Sequence, residues 1–123
     1  MGPRFLKIAV AYLVIGATFG LVMGLRQNFA LAPVHAHINL VGWATLALAG
    51  IIYHLYPASA ATRLAQLHFW LHNLGLPVFM VALAFLLSGY EAAGPVVGIA
   101  ASVTLVGLIV FAVNVWRNVR VTA

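Results

Sequence analysis

The chain has 123 residues, of which 65% are hydrophobic and only 6% are charged, with a formal net charge of +5, five histidines and no cysteine. A soluble domain carries about 25% charged residues, so this composition excludes a soluble globular domain, and the lack of cysteine excludes disulfides and thiolate metal sites. The single acidic residue, Glu91, also excludes chemistry by a carboxylate pair within one chain. What remains is a histidine-rich integral membrane protein.

Four apolar stretches account for most of the chain, and each is close to the roughly 20 residues that a membrane-spanning helix needs. Pro57 follows the second stretch and ends it, whereas Pro33 and Pro95 suit the first turns of the second and fourth helices. No extramembrane domain fits between them. We therefore predict an all-α integral membrane four-helix bundle, a single domain over residues 1–123, with helices over residues 5–25, 34–56, 64–88 and 95–116.

The first stretch has some features of a secretory signal peptide. Arg4 and Lys7 precede it, and residues 30–32, Ala-Leu-Ala, read like a cleavage site for signal peptidase. However, its apolar run is longer than the 7–15 residues of a signal peptide, and Pro33 directly after the cut would hinder cleavage. We predict that the stretch is retained as the first spanning helix.

The basic residues indicate how the helices are oriented. With four spans, five of the Lys and Arg side chains fall on one side of the membrane, and Arg26 and Glu91 fall on the other. Loops rich in Lys and Arg face the cytoplasm, so both termini are predicted to be cytoplasmic, in a multi-pass protein of a prokaryotic plasma (inner) membrane. The basic residues set topology and are too scattered for nucleic-acid binding, so membrane lipid is the expected surrounding partner. The five are Arg4, Lys7, Arg63, Arg117 and Arg120.

Small residues recur at four-residue spacing on the first and fourth helices, a pattern that lets helix backbones approach closely in lipid. Pro77 lies within the third helix, where its missing N–H should kink the helix and free the carbonyl of Asn73. The two small-residue stripes are Gly16, Gly20, Gly24 and Gly94, Gly98, Ser102.

His35 and His37 lie near the start of the second helix, at its outer end. Residues two apart on a regular helix point about 200° apart, so the two rings leave opposite sides and serve two different sites. A small residue, Gly42 or Ala44, lies further along each face and leaves room for a bulky group such as a flat macrocycle. Ionisable groups are expensive in lipid, so a ligand role is favoured, although hydrogen bonding to neighbouring helices is the alternative reading. Asn39 and Trp43 are candidate cofactor contacts, although packing in the core is at least as favoured for Trp43.

The other three histidines are less informative. His68 and His72 lie one turn apart on the third helix and share a face, but the residues between them lack the Glu of the HExxH zinc motif. A hydrogen-bonding role is favoured for His68, whereas a metal-ligand and a structural role are equally favoured for His72. His54, flanked by Tyr53, reads as an anchor in an interfacial aromatic belt.

The segments around these histidines resemble the catalytic subunit of heme–copper oxidases. Residues 33–43 read PVHAHINLVGW, and residues 68–71 on the next helix read HFWL. The combination is similar to the oxidase and nitric oxide reductase branch, which carries His-x-His on one helix and His-Phe-Trp on the next. It also resembles small four-helix proteins described as oxidase subunit I-like. The likeness covers helices 2 and 3, whereas helices 1 and 4 are merely apolar.

The resemblance implies a fold and a set of roles. In the family, twelve helices form three arcs of four, with cytoplasmic termini and with the hemes toward the outer side. By this resemblance His35 matches the ligand of the high-spin heme, His37 matches the ligand of the low-spin heme, and His68 matches a histidine that does not bind metal. This sequence carries one arc, without the other heme ligand, the copper ligands or a recognisable Tyr-His cross-link motif. A complete oxygen-reducing site therefore cannot be built from one copy.

A homotrimer would recreate the twelve-helix ring. Each pocket between subunits would then receive His35 from one chain and His37 from the next, which is the ligand set of a bis-histidine heme b. The first functional hypothesis is thus a heme b protein for electron transfer, with a periplasmic redox partner, or for binding O2 or NO. The second is a copper or other transition-metal binder using His35, His37 and His72. The third is a cofactor-free structural or assembly subunit of a respiratory complex. An independent enzyme is the least supported, although a bound heme would carry redox activity of its own.

Overall fold

A computed structural model describes residues 1–120 as helices joined by short connections. Within that range, four helices are long and apolar enough to cross a membrane, and the largest difference from the predicted bounds is at the first, which begins at residue 2 instead of 5. The predicted all-helical fold with four helices long and apolar enough to cross a membrane is confirmed. The helices are α1 (Gly2–Arg26), α2 (Ala32–Leu55), α3 (Arg63–Leu87) and α4 (Gly94–Asn118).

The helix ends have local causes. α1 ends where Gln27 takes a left-handed conformation with φ 51°. A single helical turn, Pro57–Ala60, links α2 to α3, and the Thr62 hydroxyl caps α3 by accepting a hydrogen bond from the Ala65 N–H at 3.1 Å. α3 then continues without a break across Pro77.

α2 is not a regular α-helix along its whole length. Residues Ile38–Ala44 form a π-helical segment between two α-helical ones, which the sequence pattern did not predict. In a π-segment the backbone hydrogen bonds run from i to i+5, and the Thr45 N–H donates to the Leu40 carbonyl in this way. Two carbonyls of the segment also meet side-chain donors. The Leu40 carbonyl accepts from the Thr45 hydroxyl at 2.7 Å, and the Val41 carbonyl lies 3.0 Å from His72 Nε2.

The four helices pack as two tight pairs, α1 with α2 and α3 with α4, and α2 joins the pairs by contacting α3. On α1, the predicted close approach is confirmed at Gly16 and Gly20, where Asn39 and His35 of α2 occupy the space above them, but not at Gly24, which has no atom within 4 Å of its Cβ position. On α4 it is wrong within this chain: Gly94 and Gly98 have no atom within 4 Å of where a Cβ would be. Gly107 makes the close α4 contact instead, against the α3 backbone at His72.

Candidate cofactor-binding site

The two histidines of α2 lie against different neighbouring helices. His35 points toward α1, where its ring lies over Gly20. His37 points toward α3, where its ring meets the edge of Phe79 at a centroid distance of 5.2 Å. This separation agrees with the opposite sides predicted from helical periodicity, since both residues precede the π-segment. Leu40, which is 66% exposed, marks the outward apolar face of α2 between them.

The tautomer of neutral His35 follows from its contacts. Its Nδ1 lies 2.8 Å from the Gly16 carbonyl oxygen, and because a carbonyl only accepts, Nδ1 carries the proton and donates. The Asn39 amide nitrogen lies 3.2 Å from the same Nδ1 and donates to the His35 carbonyl at 2.9 Å, which fixes the orientation of the amide. The lone pair of neutral His35 is therefore on Nε2.

His37 has the same tautomer through a different partner. Its Nδ1 lies 2.7 Å from the Pro33 carbonyl oxygen, one turn back on the same helix, so Nδ1 is again the donor and Nε2 carries the lone pair. Histidines that bind metals nearly always donate their second ring N–H to a carbonyl or a carboxylate, which orients the ring and raises the basicity of the ligand nitrogen. Both α2 histidines have this arrangement.

Glycine makes the arrangement around His35 possible. A Cβ on Gly16 would lie 2.5 Å from Asn39 Oδ1, and a Cβ on Gly20 would lie 2.8 Å from His35 Cε1. Both distances are shorter than the contacts that Cβ atoms make in proteins, so any larger residue at these positions would push the side chains of Asn39 and His35 away from α1. Gly16 and Gly20, which the sequence pattern indicates as a helix-packing motif, thus also position His35.

The α3 histidines have the opposite character, because both ring nitrogens of each are already hydrogen-bonded. His72 Nε2 donates to the Val41 carbonyl at 3.0 Å, so its Nδ1 must accept, and His68 Nε2 donates to it at 3.2 Å. His68 Nδ1 then accepts from the Tyr53 hydroxyl at 3.0 Å. Both side chains are fully buried. With its ring nitrogens engaged, His72 offers no lone pair to a metal in this conformation.

This chain of hydrogen bonds continues to the loop between α2 and α3. The Asn114 amide donates to the Tyr53 hydroxyl at 3.4 Å and to the Ser59 carbonyl at 3.0 Å, and its oxygen accepts from the Thr62 hydroxyl at 3.0 Å. We call Val41, His72, His68, Tyr53 and Asn114 the buried polar chain. It ties α2, α3 and α4 together. The sequence pattern did not indicate Tyr53 as a member, whereas Asn114 is a polar residue within an apolar helix, a position that favours hydrogen bonds between helices.

The remaining sequence-predicted residues have simple environments. Trp43 is partly buried and packs against the apolar cluster around Phe5 and Leu46, so it lies in the core in this conformation. His54 is exposed at the end of α2. The expectation that Gly42 leaves room for a cofactor is wrong, because the ring of Tyr12 occupies that space: a Cβ on Gly42 would lie 2.6 Å from Tyr12 Cγ.

Within residues 1–120, no three His, Asp or Glu side chains come together as a group that could hold a metal ion. Comparisons with protein-family models, with curated proteins and with solved structures found no match to this chain. The α2 histidines are therefore the residues whose geometry bears on a function.

Proposed function

We propose that this chain binds heme b through His35 and His37 at interfaces between copies of itself in a prokaryotic plasma membrane, for electron transfer or for binding O2 or NO. The single observation that supports this is the shared tautomer: each ring donates from Nδ1 to a backbone carbonyl and keeps the Nε2 lone pair. The α3 histidines, whose four ring nitrogens are all hydrogen-bonded, lack this feature.

The donor set fits the cofactor. Two neutral imidazoles without thiolate or carboxylate partners are the axial ligands of low-spin b-type hemes, and when bound such a heme supplies one-electron chemistry. The chain's own contribution is to hold each ring by a carbonyl, Gly16 for His35 and Pro33 for His37, and to surround them with apolar side chains.

The proposal needs more than one copy. Because the two rings lie against different helices, one chain offers each to a different site, and a closed ring of copies pairs the His35 of one with the His37 of the next. α2 also has an outward apolar face formed by Leu40, Leu48 and Leu55, whose side chains are 66%, 59% and 64% exposed. This apolar face is available to lipid or to a second copy. A homotrimer is the smallest ring that completes twelve helices.

Orientation follows from the charge bias. With Arg63 and both termini on the cytoplasmic side, the His35 end of α2 faces the periplasm, and a redox partner there would be close to the cofactor.

Visible spectra of the purified protein test the cofactor. We expect the wild type, produced with heme available, to show a Soret band and sharp α and β bands on reduction. His35→Ala and His37→Ala should each lose at least about nine-tenths of the heme, since one ligand of a pair does not hold it, and added imidazole should restore part of it. His54→Ala is the matched control and should keep the wild-type spectrum, because His54 is exposed at the other end of α2.

A colourless wild-type protein would overturn the heme proposal, and copper found by metal analysis in its place would favour the transition-metal hypothesis. Loss of heme in His54→Ala as well would show that the loss reflects general instability and not ligation. A spectrum with broad high-spin features would replace the bis-histidine assignment by a single ligand and an open gas-binding position.

Co-expression of the two colourless variants tests the shared site. In a 1:1 mixture, a pocket is intact only where a His37→Ala chain contributes His35 and a His35→Ala chain contributes His37. Random assembly into closed rings therefore predicts recovery of about one quarter of the wild-type heme. Recovery near zero would contradict ligation across a subunit interface, since a site within one chain cannot be complemented.

A further inference from the structure

A polar cleft of about 500 Å³ lies where the end of α4 meets the start of α3, at the opposite end of α2 from His35. Its volume is within the range of about 300–1,000 Å³ that ligand pockets have. Most of its lining is polar, and two of the lining side chains are arginines. The cleft is lined by Thr62, Leu64, Trp116, Arg117, Asn118 and Arg120.

Hydrogen bonds to one buried residue hold the two sides of the cleft together. Asn114 Oδ1 accepts from Asn118 Nδ2 at 2.8 Å and from the Thr62 hydroxyl at 3.0 Å, and Asn114 is fully buried. Thr62 directly precedes α3 and Asn118 ends α4. The cleft is therefore anchored to the buried polar chain, and its shape is set by the same contacts that join the helices.

Arg117 and Arg120 give the cleft a positive charge that no acidic side chain offsets. Glu91 is the one Asp or Glu of the sequence, and it precedes the start of α4, whose 25 residues separate it from the cleft by about 37 Å at 1.5 Å per residue. A guanidinium group presents its N–H donors as a fork that matches two oxygens of a phosphate. Two such groups lining one cleft favour an anion that carries phosphate.

The surroundings of the cleft indicate that this phosphate belongs to a lipid. Trp116, which lines the cleft, is 91% exposed, and tryptophan is enriched at the level of the head groups in a membrane. The cleft lies at the ends of two helices that are long and apolar enough to cross a membrane. One turn further into these helices, Leu67 and Val113 are 46% and 40% exposed, and they offer an apolar surface to acyl chains.

We propose that this cleft binds an anionic phospholipid, whose phosphate contacts the guanidinium groups of Arg117 and Arg120 and whose acyl chains lie along the exposed apolar side chains of α3 and α4. Basic pockets between membrane helices commonly bind anionic head groups. A zwitterionic head group is disfavoured, because its own cation would lie beside two arginines. The site uses no histidine, so it does not depend on the proposed heme.

Native mass spectrometry of the purified protein, titrated with phosphatidylglycerol or with phosphatidylcholine of the same acyl chains, tests the proposal. We expect the wild type to bind phosphatidylglycerol at least about tenfold more tightly, as for two basic residues acting on one anionic lipid. In Arg117→Gln/Arg120→Gln the preference should fall below about twofold. Equal binding of the two lipids by the wild type would overturn the proposal.

Two further variants separate a built site from general attraction by positive charge. Arg4→Gln/Lys7→Gln removes two charges from exposed positions on α1, outside the cleft, and should keep the wild-type preference. Arg117→Lys/Arg120→Lys keeps both charges but removes the guanidinium fork, and should bind phosphatidylglycerol at least about threefold more weakly. Loss of preference in the first variant, or unchanged affinity in the second, would contradict recognition by the two arginines.

Competition with a soluble head group distinguishes a lipid from a free phosphate ester. Glycerophosphoglycerol carries the same phosphate and glycerol groups as phosphatidylglycerol but has no acyl chains. We expect it to displace the lipid only at concentrations far above those at which the lipid itself binds, because it gains nothing from the apolar surface at Leu67 and Val113. Displacement at equal concentrations would contradict the lipid assignment and leave a site for soluble phosphate esters.

Discussion

Replacing His68 by leucine is expected to lower the free energy of unfolding by about 2–3 kcal/mol. His68 is the middle member of the buried polar chain, donating to His72 and accepting from Tyr53. Leucine retains apolar contact with Phe5 and Phe111, whose rings lie 5.0 and 4.7 Å from the His68 ring. The expected loss of stability therefore comes from the Tyr53 hydroxyl and the His72 Nδ1, which lose His68 as their hydrogen-bond partner. Titration of SDS into dodecyl maltoside micelles, followed by circular dichroism, measures this loss.

Two companion variants make this result specific. His54→Leu changes the same residue type at an exposed position and should alter stability by no more than about 0.5 kcal/mol. The double variant His68→Leu/His72→Leu should cost clearly less than the sum of the two single changes, because the singles break the same bond and each leaves a partner unpaired. Additive costs would show that the two rings are not coupled and would contradict the buried polar chain.

Replacing Gly42 by alanine is expected to destabilise the fold by about 3 kcal/mol, the upper part of the range for overpacking. The added Cβ would lie 2.6 Å from Tyr12 Cγ, 2.7 Å from Cδ1 and 3.0 Å from Cβ. These atoms lie where the side chain joins the α1 backbone, so Tyr12 cannot move far enough to remove the overlap unless α1 also moves. The same detergent titration measures the effect, and a shift of the Tyr12 ring resonances would locate it.

Gly98→Ala is the matched control for Gly42→Ala. Gly98 lies inside α4 with nothing within 4 Å of its Cβ position, so alanine should leave stability unchanged or raise it by up to about 1 kcal/mol through helix propensity. If Gly42→Ala behaved like Gly98→Ala, the close contact between α1 and the π-segment of α2 would not exist in the protein.

Histidine thus has two different roles in this chain, one in the buried polar chain and one at the start of α2. In α3, each imidazole is saturated with hydrogen bonds and joins helices, and its substitution should reduce stability. In α2, each imidazole has one nitrogen held by a carbonyl and the other uncommitted, and its substitution should reduce cofactor content. Measuring stability and heme content on the same four histidine variants, at positions 35, 37, 68 and 72, would separate the two roles.

Much of the fold could be predicted from local properties of the chain. The length of an apolar run decides whether a helix can cross a membrane, Pro57 marks where the second run ends, and Pro33 and Pro95 mark where the second and fourth runs begin. The sequence therefore predicts the bounds of the four long helices to within three residues. The opposite directions of His35 and His37 likewise follow from helical periodicity alone, because both lie in the regular first turns of α2.

Contacts between distant residues could be obtained only from the tertiary structure. Asn114 meets the Tyr53 hydroxyl across 61 residues of sequence and His72 meets the Val41 carbonyl across 31, and no local pattern encodes such pairs. The carbonyl of Val41 lies in a π-segment that hydropathy does not reveal, and the room beside Gly42 is filled by a tyrosine from another helix. A histidine's free nitrogen depends on which carbonyl its other nitrogen reaches, and that is decided by helix packing.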